Sequence, residues 1–292
     1  MMVEYAAQLA QKKQWLTKAL ARLQSADCEP EVMAAPQPLG YRNRAQLKTD
    51  GERLGFSAAG TRAIVDVPVC LVLNAGCQAE LSALRAQLPN SQWRPRKGRE
   101  WSTLDLDDSG RPPLLNQRQP FRQGNDVQNQ RMQAWVVEQL QRMSSPEKTV
   151  ELFCGSGNFT QLLCASTSGK VVAVEGVAAT LAPLATQASN QLLPVVGDLY
   201  DEDFVRTLTH GHQDAELLFL DPPRDGLRHR QALLAGLPQL TDVLYISCNI
   251  ATWERDCRDF IAGGFRVESL GLVDLFPHTP HVEILSRLRR AP

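Results

Sequence analysis

Cys248 ends a short apolar run in Tyr-Ile-Ser-Cys-Asn (245–249), and two other apolar runs end in groups that could act beside it. Leu-Phe-Leu-Asp-Pro-Pro-Arg (218–224) presents Asp221 on a diproline turn, and Phe-Cys-Gly-Ser-Gly-Asn-Phe (153–159) leads into a glycine-rich turn. A thiol at a strand end is a candidate nucleophile, because cysteine attacks as the thiolate and forms covalent intermediates. Three strand ends of this kind point reactive groups into one crevice when the strands are parallel neighbours. Glu283, in Phe-Pro-His-Thr-Pro-His-Val-Glu (276–283), is a carboxylate just before the last apolar segment and is a candidate general base.

Gly155 and Gly157 let the backbone turn tightly and approach a ligand without a Cβ in the way. Glu175 ends the next apolar run, at the separation where an acidic residue accepts hydrogen bonds from ribose hydroxyls. The turn lacks the third glycine of the dinucleotide fingerprint, and no phosphate-binding lysine follows it. A nucleoside ligand without a phosphate tail therefore fits better than NAD or a nucleoside triphosphate, and S-adenosylmethionine answers that description. Asp198, in Val-Val-Gly-Asp (195–198), either meets an adenine amino group or caps the following helix.

With a methyl donor at hand, Cys248 offers a covalent route. Thiolate attack on C6 of a pyrimidine makes C5 electron-rich, C5 takes the methyl group, and Glu283 removes the C5 proton before the thiol is expelled. The competing route is methylation of an exocyclic amine. Asp-Pro-Pro-Arg (221–224) is similar to the Asp/Asn-Pro-Pro-aromatic turn of amino-group methyltransferases, but Arg224 stands where the aromatic ring would stack on a flipped base. A lone cysteine in an apolar strand is ordinarily an inert core residue. The polar neighbours Ser247 and Asn249 argue against that for Cys248, whereas Cys154, Cys164 and Cys257 read as core and His278 and His281 as turn residues. No metal site is expected.

Positioning these groups requires a particular scaffold. Apolar runs at 149–153, 171–175, 194–196 and 217–220 alternate with helical stretches, the first of them following a helix over 127–143, and this pattern predicts a parallel, doubly wound sheet. Upstream, 41–47, 54–57 and 63–67 read as antiparallel strands, 79–88 as a helix and 101–106 as one more strand. A first helix over 3–25 carries Leu9, Trp15, Leu16, Leu20 and Leu23 on an apolar face. The fold class is α/β, with a Rossmann-like domain and a smaller N-terminal α+β domain. The predicted divisions are a helix at 1–30, the small domain at 31–116 and the catalytic domain at 117–292.

Lys plus Arg (31) balance Asp plus Glu (32), so any nucleic-acid contact must come from local patches rather than a global basic field. The N-terminal residues open a polar helix instead of a signal segment, which gives an expected cytoplasmic location. Seven scattered cysteines with no Cys-x-x-Cys pair read as reduced thiols.

Assembled in order, Phe-Arg-Gln-Gly-Asn (121–125), the 153–159 turn, Glu175, Asp-Pro-Pro-Arg-Asp-Gly-Leu (221–227), Ser-Cys-Asn (247–249) and the 276–283 segment give a chain that resembles the uracil-C5 RNA methyltransferase family. That family includes bacterial tRNA and 23S ribosomal RNA 5-methyluridine enzymes, and the likeness runs from about residue 117 to the C-terminus. It implies Cys248 as nucleophile and Glu283 as proton acceptor. It also implies that Gln123, Phe153, Asn158, Glu175 and Asp221 line the S-adenosylmethionine and uracil pocket, with a structured RNA as partner.

The chain departs from the family in several places. Ile250 replaces the usual proline after Ser-Cys-Asn, implying a less rigid turn, and the segment 92–119 is short. Only Cys70 matches the cysteine cluster that holds an iron–sulfur centre in many ribosomal members, so no iron–sulfur cluster is expected, nor an N-terminal oligonucleotide-binding barrel. RNA grip then falls to Lys12, Lys13, Arg42, Arg44, Arg94, Arg96, Lys97 and Arg99, with Trp93 and Trp101 for stacking. Ribosomal RNA is favoured over tRNA. The alternatives are an RNA-binding or RNA-folding protein that keeps the fold without turnover, and an amino-group methyltransferase.

Overall fold

A computed structural model describes residues 3–24, 28–58, 60–117 and 122–291. The chain forms two compact units, one of residues 1–35 with 128–292 and one of residues 36–127. Two of the expected divisions are therefore corrected. The first helix, α1 (Tyr5–Arg22), does not stand apart, because its buried stripe of Lys12, Leu16, Ala19 and Leu20 belongs to the larger unit's core. The later boundary falls at 127/128 instead of 116/117. The segment after the last strand of the smaller unit folds back on that strand, with Leu115 bridged to Leu104 and Asn116 N–H donating to the Thr103 carbonyl at 2.8 Å.

Strand β1 (Glu31–Met33) precedes the smaller unit, which contains β2 (Arg44–Thr49), β3 (Leu54–Ser57), β4 (Ile64–Asp66), helix α2 (Ala75–Arg85) and β5 (Ser102–Asp107). Its four strands run in the order β4-β3-β2-β5, all antiparallel. Helix α2 starts four residues before the expected 79. The Asn74 side chain accepts from Cys77 N–H at 2.9 Å and so caps an earlier turn. Leu47, Leu54, Leu81, Leu104 and Trp93 form its core.

The larger unit continues with α3 (Asp126–Gln141), β6 (Lys148–Leu152), α4 (Thr160–Ser166), β7 (Lys170–Glu175), α5 (Ala178–Ala185), β8 (Leu192–Val196) and α6 (Glu202–His210). It ends with β9 (Leu217–Leu220), α7 (Arg230–Gly236), β10 (Asp242–Ser247), α8 (Ile250–Ala262), β11 (Phe265–Val273) and β12 (Glu283–Arg290). Its eight strands lie in the order β1-β11-β12-β10-β9-β6-β7-β8. Strands β6 to β10 are mutually parallel, and β12 is antiparallel to both neighbours. This is the expected doubly wound α/β sheet with an inserted antiparallel strand. Separate apolar clusters cover its two faces, so central strands such as β9 are continuous runs of buried side chains. The chain reverses direction along the sheet between β6 and β9, which makes their carboxyl ends the natural ligand crevice. Among the described residues no helix is long and apolar enough to cross a membrane.

One polar contact fastens α1 to this sheet. Lys12 lies on the same helical stripe as Leu16 and Ala19, and its ammonium group meets Asp274 Oδ1 at 2.7 Å with both side chains buried. The lysine also donates to the Phe276 carbonyl at 3.3 Å, and Gln8 accepts from His278 N–H at 3.0 Å. Burial and the negative charge of Asp274 push the nearby Tyr5 phenol up to about 12. Helix α1 thus holds the segment that runs from β11 to Glu283. Lys12→Met leaves Asp274 buried without its cation and is expected to lower unfolding free energy by about 3–5 kcal/mol, read from a denaturant titration. Adding Asp274→Leu should recover most of that loss; a double variant no more stable than the single one would show that the charge is not the cause.

Candidate active site

Strand register brings the sequence-identified groups together. Leu152 pairs with Val174 on one side and Leu220 on the other. One residue further along, Glu175, Phe153 and Asp221 therefore fall in a row at the carboxyl ends of β7, β6 and β9. On the other side of β10 the antiparallel pairing sets Ser247 opposite Ile284, so its continuation sets Cys248 opposite Glu283.

The glycine turn after β6 holds strained backbone. Phe153 has φ +61°, in the left-handed region that disfavours a bulky side chain, and its ring meets Tyr200 edge-on at 6.3 Å. Gly155 has φ +58°, and a Cβ added there would meet nothing within 4 Å, so its backbone borders open space. Gly157 serves packing instead, since a Cβ there would lie 2.6 Å from Leu184 Cδ2. The Glu175 carboxylate accepts from Gly155 N–H at 3.1 Å and Val177 N–H at 2.9 Å, which fixes it at the turn. Asn158 exchanges amide hydrogen bonds with Asn129 and accepts from Gln133, tying the turn to α3. Asp198 accepts from Tyr200 N–H at 2.8 Å, while Asp201 caps α6, so helix capping is not the role of Asp198.

The Asp221 turn is clamped onto α8. Leu227 N–H donates to Asp256 at 2.8 Å, the buried Tyr245 hydroxyl donates to the same oxygen at 2.7 Å, and Gly226 at φ +67° leaves room for that carboxylate. The Arg224 carbonyl accepts from Asn249 Nδ2 at 3.2 Å and Thr252 Oγ1 at 3.1 Å. Asn249 also caps α8 by accepting from Ala251 N–H at 3.0 Å. Ile250 is therefore the first residue of a capped helix, a position where the backbone N–H has no intrahelical partner. The turn carrying Cys248 is fixed by Asn249 on both sides without a proline.

A cavity of ≈ 520 Å³ opens at Cys248, bordered by Arg224, Asn249, His281 and Val282. Arg224 donates to His281 Nδ1 at 3.1 Å. Burial, and then the negative charges of Glu283 and Asp221 outweighing the Arg224 cation, push the Cys248 thiol up to about 11. Burial first and Asp221 second raise Glu283 well above the usual carboxylate range, with Arg224 opposing. Burial raises Asp221 to about 7. Beneath the glycine turn, burial raises Glu151 to about 8 although Thr160 Oγ1 donates to it at 2.6 Å.

Cys248, Glu283, Asp221, Glu175, Phe153 and Asn158 thus all lie in the larger unit, at the carboxyl end of its sheet or beside it. Gln123 lies in the smaller unit, where its carbonyl accepts from Asn43 Nδ2 at 3.0 Å. Phe121 of the same motif is outside the described residues. Two residues expected to grip RNA are unsuited to it: Lys12 is buried in its ion pair, and Trp93 is packed in the smaller unit's core. Sequence reasoning missed Arg224 and His281 as cavity residues. It also missed the α1 side chains Trp15, Lys18 and Arg22, which complete the cavity wall. Their spacing of three and four residues was the available signal.

The profile of tRNA (uracil-5-)-methyltransferases matches residues 107–193 and 203–290. An uncharacterized RNA methyltransferase of Nitrosomonas europaea is 40% identical, over 99% of this chain and 75% of the relative. The 23S rRNA (uracil(1939)-C(5))-methyltransferase RlmD of Pseudomonas savastanoi pv. phaseolicola is 30% identical, over 97% of this chain and 76% of that enzyme. Among solved structures, Pyrococcus abyssi tRNA (uracil-54, C5)-methyltransferase in complex with S-adenosyl-L-homocysteine matches with a TM-score of 0.74, covering 98% of this chain and 84% of that one. At 20% identity that likeness speaks for the fold. With the profile covering most of the chain and relatives aligned over nearly all of it, the protein belongs to the tRNA (uracil-5-)-methyltransferase family, whose members methylate C5 of uracil in RNA from S-adenosylmethionine.

Proposed function

We propose that Cys248 is the nucleophile and Glu283 the general base of this uracil-C5 methylation, and that 23S rRNA is the substrate. The observation carrying the assignment is the register of β10 against β12, which sets the two residues opposite each other where a cavity reaches the thiol. The Cys248 thiolate adds to C6 of the uracil, and the electron pair of the C5–C6 double bond moves to C5, which bonds to the methyl group. Glu283 then takes the C5 proton, the C–H electron pair re-forms the double bond, and the S–C6 bond breaks to return the thiolate. One methyl group is gained, one proton leaves and the cysteine is regenerated.

S-adenosylmethionine would supply the methyl group as a sulfonium electrophile, its S–CH3 bond breaking as the C5–CH3 bond forms and the neutral thioether S-adenosylhomocysteine leaving. The open backbone at Gly155 and the carboxylate of Glu175 fixed beside it fit a nucleoside ligand, and Phe153, Asn158 and Asp221 would line the same crevice. Gln123 is assigned to the cofactor by the family resemblance alone. Ribosomal RNA is supported by the 30% identity to RlmD over nearly the whole chain.

Incubation with S-adenosylmethionine and 23S rRNA transcript containing 5-fluorouridine tests the chemistry, because fluorine at C5 cannot leave as a proton. Wild-type protein should form a covalent RNA adduct, visible by gel mobility and mass, and Cys248→Ala should form none. An adduct that survives Cys248→Ala, or a higher rate on tRNA transcript than on 23S rRNA, would overturn the corresponding part of the assignment.

Glu283→Gln separates the two roles. It should cut turnover on ordinary uridine by roughly 10²- to 10⁴-fold while a protein–RNA adduct accumulates, since the addition step remains and the C5 proton has no acceptor. Loss of turnover without any adduct would place Glu283 before the covalent step.

The raised thiol predicts a pH dependence. With Cys248 pushed up to about 11, its thiolate fraction grows throughout the neutral and mildly alkaline range in the free protein. Iodoacetamide labelling of the Cys248 peptide, followed by mass spectrometry without cofactor, should therefore rise about tenfold per pH unit from pH 7 to 9. A plateau inside that window would mean that the thiol is already ionised.

A further inference from the structure

Helix α1 presents a second face that its packing does not explain. Leu16, Ala19 and Leu20 fill the core, yet Trp15 is 36% exposed beside them. Trp15, Lys18 and Arg22 follow at intervals of three and four residues, so they share one stripe, and all three border the cavity that contains Cys248. The start of α8, at Asn249, Ile250 and Ala251, borders the same cavity.

The charge on the α1 side of this cavity is unbalanced. Among the described residues that border it, the carboxylate is Glu254, which already accepts from Arg22 at 2.6 and 3.0 Å and from Arg258 at 2.5 Å. Among the described residues neither Lys18 nor Arg224 has a carboxylate within ion-pair distance. An exposed indole that shares a helical stripe with two cations and borders the cavity at the thiol is the combination that binds single-stranded nucleic acid, with the ring stacking a base and the cations meeting the backbone.

We propose that the Trp15–Lys18–Arg22 face of α1 is an RNA-contact surface that receives the nucleotide adjoining the target uridine. Its base lies on the Trp15 ring, and its phosphate lies between Lys18 and Arg22. This assignment rests on the uridine chemistry proposed for Cys248. It gives α1 two opposite functions: one stripe is buried to hold the Glu283 segment, and the neighbouring stripe meets the substrate.

The test measures adduct formation against concentration of 5-fluorouridine-containing 23S rRNA transcript, with saturating S-adenosylmethionine, for full-length wild type, Trp15→Ala, Trp15→Phe, Lys18→Glu and Lys170→Glu. Lys170 is exposed but does not border the cavity. Trp15→Ala should raise the half-saturating RNA concentration by at least about fivefold, and Trp15→Phe should restore most of it. Lys18→Glu should also raise it and flatten the log–log salt dependence by about one. The limiting rate, S-adenosylmethionine affinity and melting temperature should stay at wild-type values, and Lys170→Glu should behave as wild type. A purely structural role would instead lower the melting temperature and spare the RNA dependence. Variants that saturate like wild type, or an equal loss in Lys170→Glu, would overturn the surface and leave the uridine chemistry standing. A wild-type protein that forms no adduct would overturn the chemistry, and this inference with it.

Discussion

The arrangement of the site depends on one constraint, the antiparallel register of β12 between β10 and β11. Pairing Ser247 with Ile284 is what sets Cys248 across from Glu283. Because side chains alternate faces along a strand, a slip of one residue would turn every β12 side chain to the opposite face. Ile284, Leu285 and Leu288 are fully buried in β12, so such a slip would exchange the side chains that meet the two apolar clusters. The hydrophobic pattern of the last strand therefore fixes the placement of Cys248 against Glu283 as a consequence of fixing the fold. Val273 pairs with Glu283 on the other flank, so the start of β12 is held from both sides.

The segment between β11 and β12 needs its own support, since it carries no regular structure of its own over much of its length. That support comes from far away in the chain. Lys12 reaches Asp274, Gln8 reaches His278, and Gln128 Nε2 donates to the carbonyls of both Met33 and Asp274 at 2.9 Å. Strand β1 adds a parallel pairing to the end of β11. Buried polar contacts of this kind contribute less to net stability than to selecting one arrangement among several compact ones, because each arrangement must satisfy the same buried groups.

The groups proposed to react were legible because type and position coincide: a thiol or carboxylate at the end of an apolar run has few structural uses. The doubly wound sheet was legible for a similar reason, from the alternation of short apolar runs with helical stretches. What escaped were partnerships across sequence. Lys12 reads locally as a surface charge, and its partner lies 262 residues away. Trp93 reads as an exposed ring in a polar loop, but a short 3₁₀ turn at Ser91–Trp93 directs it into the core. Three residues of β1 give no periodicity to detect, and their pairing with β11 is equally remote. The absence of a proline at Ile250 reads as a looser Cys248 turn, whereas Asn249 supplies the restraint through its side chain.

Electrostatics set the character of the crevice. Glu283 is buried and Asp221 half-buried near the thiol, Glu151 is buried in β6, and each is raised above its ordinary range by the cost of ionising in a poorly solvated site. The cation facing Cys248 and Glu283 is Arg224, which opposes the rise in both. Glu175 adds a further carboxylate at the mouth of the turn, held by backbone N–H groups that would otherwise be free to bind a phosphate. A pyrophosphate would find the turn's Gly155 donor already engaged by Glu175. The glycine turn thus presents a carboxylate instead of free N–H donors, which disfavours the phosphate-bearing ligands that glycine-rich turns otherwise bind.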